Sequence, residues 1–76
     1  MPSLHVNSVV RLKEDIPEYD LSRGDEGVVV SVWLTPEGFL FEVEFARPIM
    51  PTVLRTLLHA TQLELADAQP SGSATN

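Results

Sequence analysis

An all-β fold is predicted for this chain: a small, strongly bent barrel of five short strands, with a brief helical turn before the last. Three observations carry it. Phe39 to Phe45 alternates with period two, placing Phe39, Phe41, Val43 and Phe45 on one face and Leu40, Glu42 and Glu44 on the other, as a half-buried strand does. Gly27 to Leu34 holds four valines, whose branching at Cβ suits a pleated surface better than a helix. Between these runs, Thr35-Pro36-Glu37-Gly38 reads as a hairpin turn, with proline fixing φ early and glycine relieving strain late.

The other elements follow in chain order. Met1 to Ser8 is an N-terminal arm and Val9 to Leu12 a short first strand. Lys13 to Arg23 is polar, and Pro17 disfavours a helix through it, so it reads as a long loop. Gly24-Asp25-Glu26-Gly27 then turns the chain, with glycine available where positive φ is needed. After the third strand, Pro48 and Pro51 lack the amide donors of a central strand and interrupt pairing. Thr52 to Leu58 has apolar spacing compatible with helix or strand; its short length, its Val and Thr and its β neighbours favour a strand. His59-Ala60-Thr61 is the helical turn, and Gln62 to Leu65 is a last strand anchored by Leu63 and Leu65. The barrel thus occupies residues 9–66. Residues 67–76 carry too little apolar surface to offset ordering and read as a mobile tail.

A chain of 76 residues with no cysteine is one domain, stabilised by packing of its 43% apolar residues and not by disulfides. Eleven Asp and Glu against five Lys and Arg give a net charge of −6. Five scattered basic residues do not make a phosphate-neutralising stripe, so nucleic acid is not an expected partner, nor is an anionic membrane. No apolar run approaches the roughly 20 residues of a spanning helix, and Met1 to Ser8 lacks the features of a secretion signal. A cytoplasmic location is expected.

Val9 to Tyr19, Arg23 to Val30, Phe41 to Phe45 and Thr61-Gln62-Leu63 together resemble a family of small bacterial SH3-like barrels catalogued only as a domain of unknown function. The resemblance spans about Val9 to Leu65 and implies an SH3-like barrel. That family is similar in architecture to the small barrel subunit of photosystem I and to the KOW motif of ribosomal and elongation proteins, and some members occur near bacterial toxin modules. Its shared residues fall here on Pro17, Tyr19, Gly24, Gly27, Val43 and Phe45, which look like fold determinants. Arg47-Pro48-Ile49-Met50-Pro51 departs from the family's polar, Gly-containing turn.

The residues themselves offer few routes to chemistry. His5 and His59 are the only histidines, and no nucleophile, base and oxyanion set is recognisable, so the protein is not expected to be an enzyme or to carry a cofactor. Glu14, Asp15, Glu18, Asp20, Asp25 and Glu26 form an acidic cluster without EF-hand spacing. Its simplest role is a solvated loop, and its more informative one is capture of a basic partner surface. Arg23 to Val29 has the glycines of a KOW-type turn, but Asp25 and Glu26 stand where phosphate binding favours Lys or Arg. Tyr19 and Trp33 are too few for an SH3-type proline groove; Tyr19 would cover one end of the barrel, and Trp33 the opposite sheet face. Ile49 and Met50, held between prolines, are hard to bury and with Leu40 could form a docking or self-association patch. The expected function is a protein-interaction module using Glu14, Asp15, Glu18, Asp20, Ile49 and Met50, with self-association as one form. An immunity or antitoxin role against a basic toxin surface is the leading alternative, and a KOW-like nucleic-acid or ribonucleoprotein module the next.

Overall fold

The β-branched and alternating runs pair into one antiparallel sheet in the computed structural model, which describes residues 4–48, 50 and 52–66. The strands are β1 (Val9–Leu12), β2 (Glu26–Thr35), β3 (Gly38–Ala46), β4 (Val53–His59) and β5 (Leu63–Leu65), in the order β4-β3-β2-β1-β5. Each expected strand is present, displaced by one residue at most at either end. The helical turn lies at Ala60–Gln62, one residue later than expected, because His59 stays in β4 opposite Leu40 and donates its N–H to Gln62 Oε1 at 2.9 Å.

One face of this sheet forms the core. Val10 and Leu12 of β1, Val29 of β2, Phe41, Val43 and Phe45 of β3, Leu58 of β4 and Leu63 of β5 are all buried. Two further core residues come from the segment read as a polar loop. Ile16 and Leu21 bridge to each other on either side of a 3₁₀ turn at Pro17–Tyr19 and bury their side chains in the same cluster. Pro17 suits the first turn because its missing N–H would have no partner there anyway. Asp20 closes the turn at φ 59°, in the left-handed region where Asp is among the tolerated residues. The loop is therefore pinned at both ends while its carboxylates face outward.

A bulge decides how far the core reaches. The pairing of β2 with β3 slips between Val29 and Ser31, leaving Val30 as the extra residue. Beyond it Val32 faces Phe41 and Leu34 faces Phe39 on the core side, while Trp33 turns outward opposite Leu40. The hairpin continues past the other strands, so Phe39 is 55% exposed despite sharing its face with buried Phe41. Of the four residues on this face of β3, Phe41, Val43 and Phe45 lie inside as expected, and Phe39 does not. Gly38, at φ +116°, lets the chain reverse, and the Thr35 hydroxyl donates to the Gly38 carbonyl at 2.7 Å.

Gly24 and Gly27 serve different needs. Gly24 adopts φ +95° with open space around it, as a turn glycine does. Gly27 is already within β2, opposite Val10, and its role in positive-φ turning is not realised. A Cβ there would lie 2.7 Å from the Glu44 carbonyl oxygen, 2.8 Å from Val43 Cγ1 and 2.9 Å from Phe45 Cδ1. The missing side chain is what allows β2 and β3 to close over the core.

Candidate functional site

The loop before β2 and the loop after β3 meet beside the core. Asp20 and Asp25 from the first, Glu26 at the start of β2, and Arg47 and Pro48 from the second line an open groove of about 320 Å³, with Leu21 and Phe45 buried beneath it. A shallower groove of about 370 Å³ continues from it, sharing Glu26 and Ala46 and adding Val28, Val30 and Glu44. Met50, in the loop that follows Pro48, is 82% exposed. The result is a mainly polar cleft with carboxylates along its rim, set over the buried Leu21 and Phe45, and an adjoining groove that adds the apolar Val28 and Val30.

The acidic residues do not act as one cluster. Asp20 reaches the groove because it caps the 3₁₀ turn. Asp25 holds its own turn, its carboxylate accepting the Ser22 N–H at 2.9 Å. Asp15 accepts the Arg23 N–H at 2.8 Å, and Glu14 accepts from Gln62 Nε2 at 2.9 Å, so these two tie loop segments together away from the groove lining. Glu18 is exposed on the 3₁₀ turn. Among the described residues no group of three or more His, Cys, Asp and Glu is arranged to hold a metal ion. Ile49 lies outside the described residues. Leu40 does not join Met50, because it sits at the opposite end of β3 beside Trp33 and His59.

The basic residues are less scattered than their sequence positions suggest. Arg11, Lys13 and Arg23 line one recess of about 170 Å³ next to Gly24. They meet because the Gly24 N–H donates to the Leu12 carbonyl at 2.9 Å, folding the turn back on β1. Arg11 is already engaged, bridging Glu26 at 3.1 Å and Glu64 at 3.5 Å across neighbouring strands and donating to the Ala66 carbonyl at 3.0 Å. Arg55 similarly pairs with Glu44 at 3.2 Å. Exposed pairs of this kind contribute little stability, but they leave Lys13 and Arg23 as the cations of the recess without an ion pair among the described residues.

Tyr19 and Trp33 do not share a surface. Tyr19 lies on the 3₁₀ turn, whereas Trp33 stands on the outer sheet face with its indole N–H donated to Ser31 Oγ at 2.9 Å. No helix among the described residues is long and apolar enough to cross a membrane.

Comparison with known proteins gives one family and no relatives. Residues 6–49 match the family model described as domain of unknown function (DUF4926), which covers both sides of the 3₁₀ turn, β1, β2 and β3. No curated protein and no solved structure matches the chain significantly.

Proposed function

Since the chain belongs to the DUF4926 family, a domain of unknown function, we propose its function from its own surface: a non-enzymatic module that binds a basic, partly apolar segment of a partner protein. The groove between Asp20, Asp25 and Glu26 on one side and Arg47 and Pro48 on the other carries this reading. Its rim is predominantly acidic, the adjoining groove adds the apolar Val28 and Val30, and an exposed methionine stands in the adjoining loop. Methionine is well suited to such a rim because its flexible, polarisable side chain adapts to a partner. The strand order and the 3₁₀ turn between β4 and β5 support reading the scaffold as a small SH3-like barrel. If the partner is a toxin with a basic surface, the same groove would serve an immunity role.

The test is capture from extract of the native host by the immobilised protein. The parent is expected to retain a partner that both Met50→Ala and the double variant Asp20→Asn with Glu26→Gln lose in large part. Both variants should fold, since Met50 is exposed, Asn tolerates the left-handed backbone at position 20, and Glu26 belongs to an exposed ion pair. Equal capture by all three proteins would contradict the groove assignment.

The recess of Arg11, Lys13 and Arg23 supports the second reading, a KOW-like nucleic-acid module. With Arg11 held by two glutamates, only a small number of phosphates could be neutralised, so binding to random RNA at moderate salt is expected to be undetectable. Affinity tighter than about 1 μM with a steep salt slope, abolished by Lys13→Ala with Arg23→Ala, would reverse the order of the two readings.

A further inference from the structure

The two ends of the sheet are built differently. β5 is three residues long and carries Glu64, features that discourage pairing with another strand. β4 is seven residues long and runs without a register shift from Val53 opposite Ala46 to His59 opposite Leu40. Within Val53–His59 there is no proline, lysine or carboxylate. As the terminal strand of the order it presents a row of backbone N–H and C=O groups with no strand beside it among the described residues. Natural proteins blunt such an edge by shortening it, charging it, bulging it or covering it.

Charge narrows what can cover it. All eleven carboxylates lie outside Phe45 to Leu63, a stretch that contains Arg47, Arg55 and His59. In register Glu42 and Glu44 of β3 stand beside Leu57 and Arg55, and with Glu44 paired to Arg55 the edge strand itself brings no carboxylate toward a second copy of a chain whose net charge is −6. The outward residues Val53 and Leu57 are both about half exposed, and Arg55 between them is already neutralised by Glu44.

We propose that β4 pairs antiparallel with β4 of a second copy about a two-fold axis through Thr56, joining the two sheets into one. In this register Val53 faces the partner's His59, Leu54 its Leu58 and Arg55 its Leu57, so all seven residues pair and no arginine opposes arginine. The inward leucines extend the two cores toward each other. On the outer face each Leu57 lies over the aliphatic stem of the partner's Arg55. An isologous contact of this size is closed, with no free edge left at β4, and belongs to the weak, reversible class of interfaces. This surface is separate from the groove, so either assignment can fail without the other.

The test is sedimentation equilibrium of the full chain from about 10 μM to 1 mM, the range in which so small an interface dissociates. A monomer–dimer equilibrium is expected, with the amide protons of β4 gaining exchange protection as concentration rises and that of Glu37 at the hairpin tip unchanged. Leu57→Lys sets a charge against the partner's Arg55 twice per dimer and is expected to weaken association at least about tenfold. Val53→Lys, also at an exposed outward position, should act in the same direction if the first variant folds poorly. A chain that remains monomeric at 1 mM overturns the proposal, as does a dimer that both variants leave intact.

Discussion

Phe45→Ala is expected to cost about 3–5 kcal/mol, because a large side chain 1% exposed is removed from between β2, β4 and the groove base and the cavity cannot fully collapse. Domains with a small core sit near the lower end of the usual 5–15 kcal/mol of stability, so most of the margin would be lost. Urea unfolding checks it: the midpoint should fall steeply while the slope stays constant. Phe39→Ala supplies the contrast. It changes the same residue type on the same face of the same strand, but at a position 55% exposed, and should cost less than about 1 kcal/mol. Equal losses at the two sites would mean that the hairpin is sheltered by something beyond this chain's own core.

Gly27→Val is expected to prevent folding altogether. The first added carbon would already lie under 3 Å from a backbone oxygen and two core side chains, and branching at Cβ adds two more atoms in the same space. Even Gly27→Ala forces β2 and β3 apart, at a cost of about 1–3 kcal/mol. For a domain of this length each kcal/mol corresponds to roughly 4–8 °C in thermal midpoint. Gly24→Ala separates steric from backbone effects: nothing lies within 4 Å of its Cβ, so it should show only the strain of φ +95°, about 1–2 kcal/mol. A normally folded Gly27→Val would contradict the close approach of β2 and β3.

Local pattern was enough to place the strands and not enough to place the surfaces. The alternation of Phe39 to Phe45 and the valines of β2 are properties of neighbouring residues, and both strands are where those patterns put them. The bulge at Val30 has no such signature, since Val28, Val29, Val30 and Val32 are the same residue type and one can be displaced without changing the pattern. It nevertheless decides that Trp33 faces outward. Ile16 and Leu21 were hidden in a charged stretch, although their spacing across Pro17 is the signal that could have revealed the pinned turn.

The candidate groove depends on contacts that no local pattern encodes. Asp20 and Arg47 are brought to one cleft only by the packing of Leu21 and Phe45 in a common core. The acidic residues Glu14 and Asp15, which composition groups with Asp20, instead satisfy Gln62 and the Arg23 backbone. Likewise Arg11, Lys13 and Arg23 converge because one backbone hydrogen bond, Gly24 N–H to Leu12 carbonyl, folds the turn onto β1. Side-chain types show which residues are acidic or apolar, and the turn geometry chooses which of them share a surface.

An acidic rim that steers a basic partner into the groove would show itself in the association kinetics with the captured partner. The association rate should fall as salt rises, because the carboxylates near the groove act before contact, and Asp20→Asn with Glu26→Gln should lower that rate and flatten its salt dependence. Met50→Ala should instead leave the association rate nearly unchanged and speed dissociation, because its contribution is made only on contact. Rates that ignore salt in the parent, or that respond to the carboxylate and methionine variants in the same way, would contradict it.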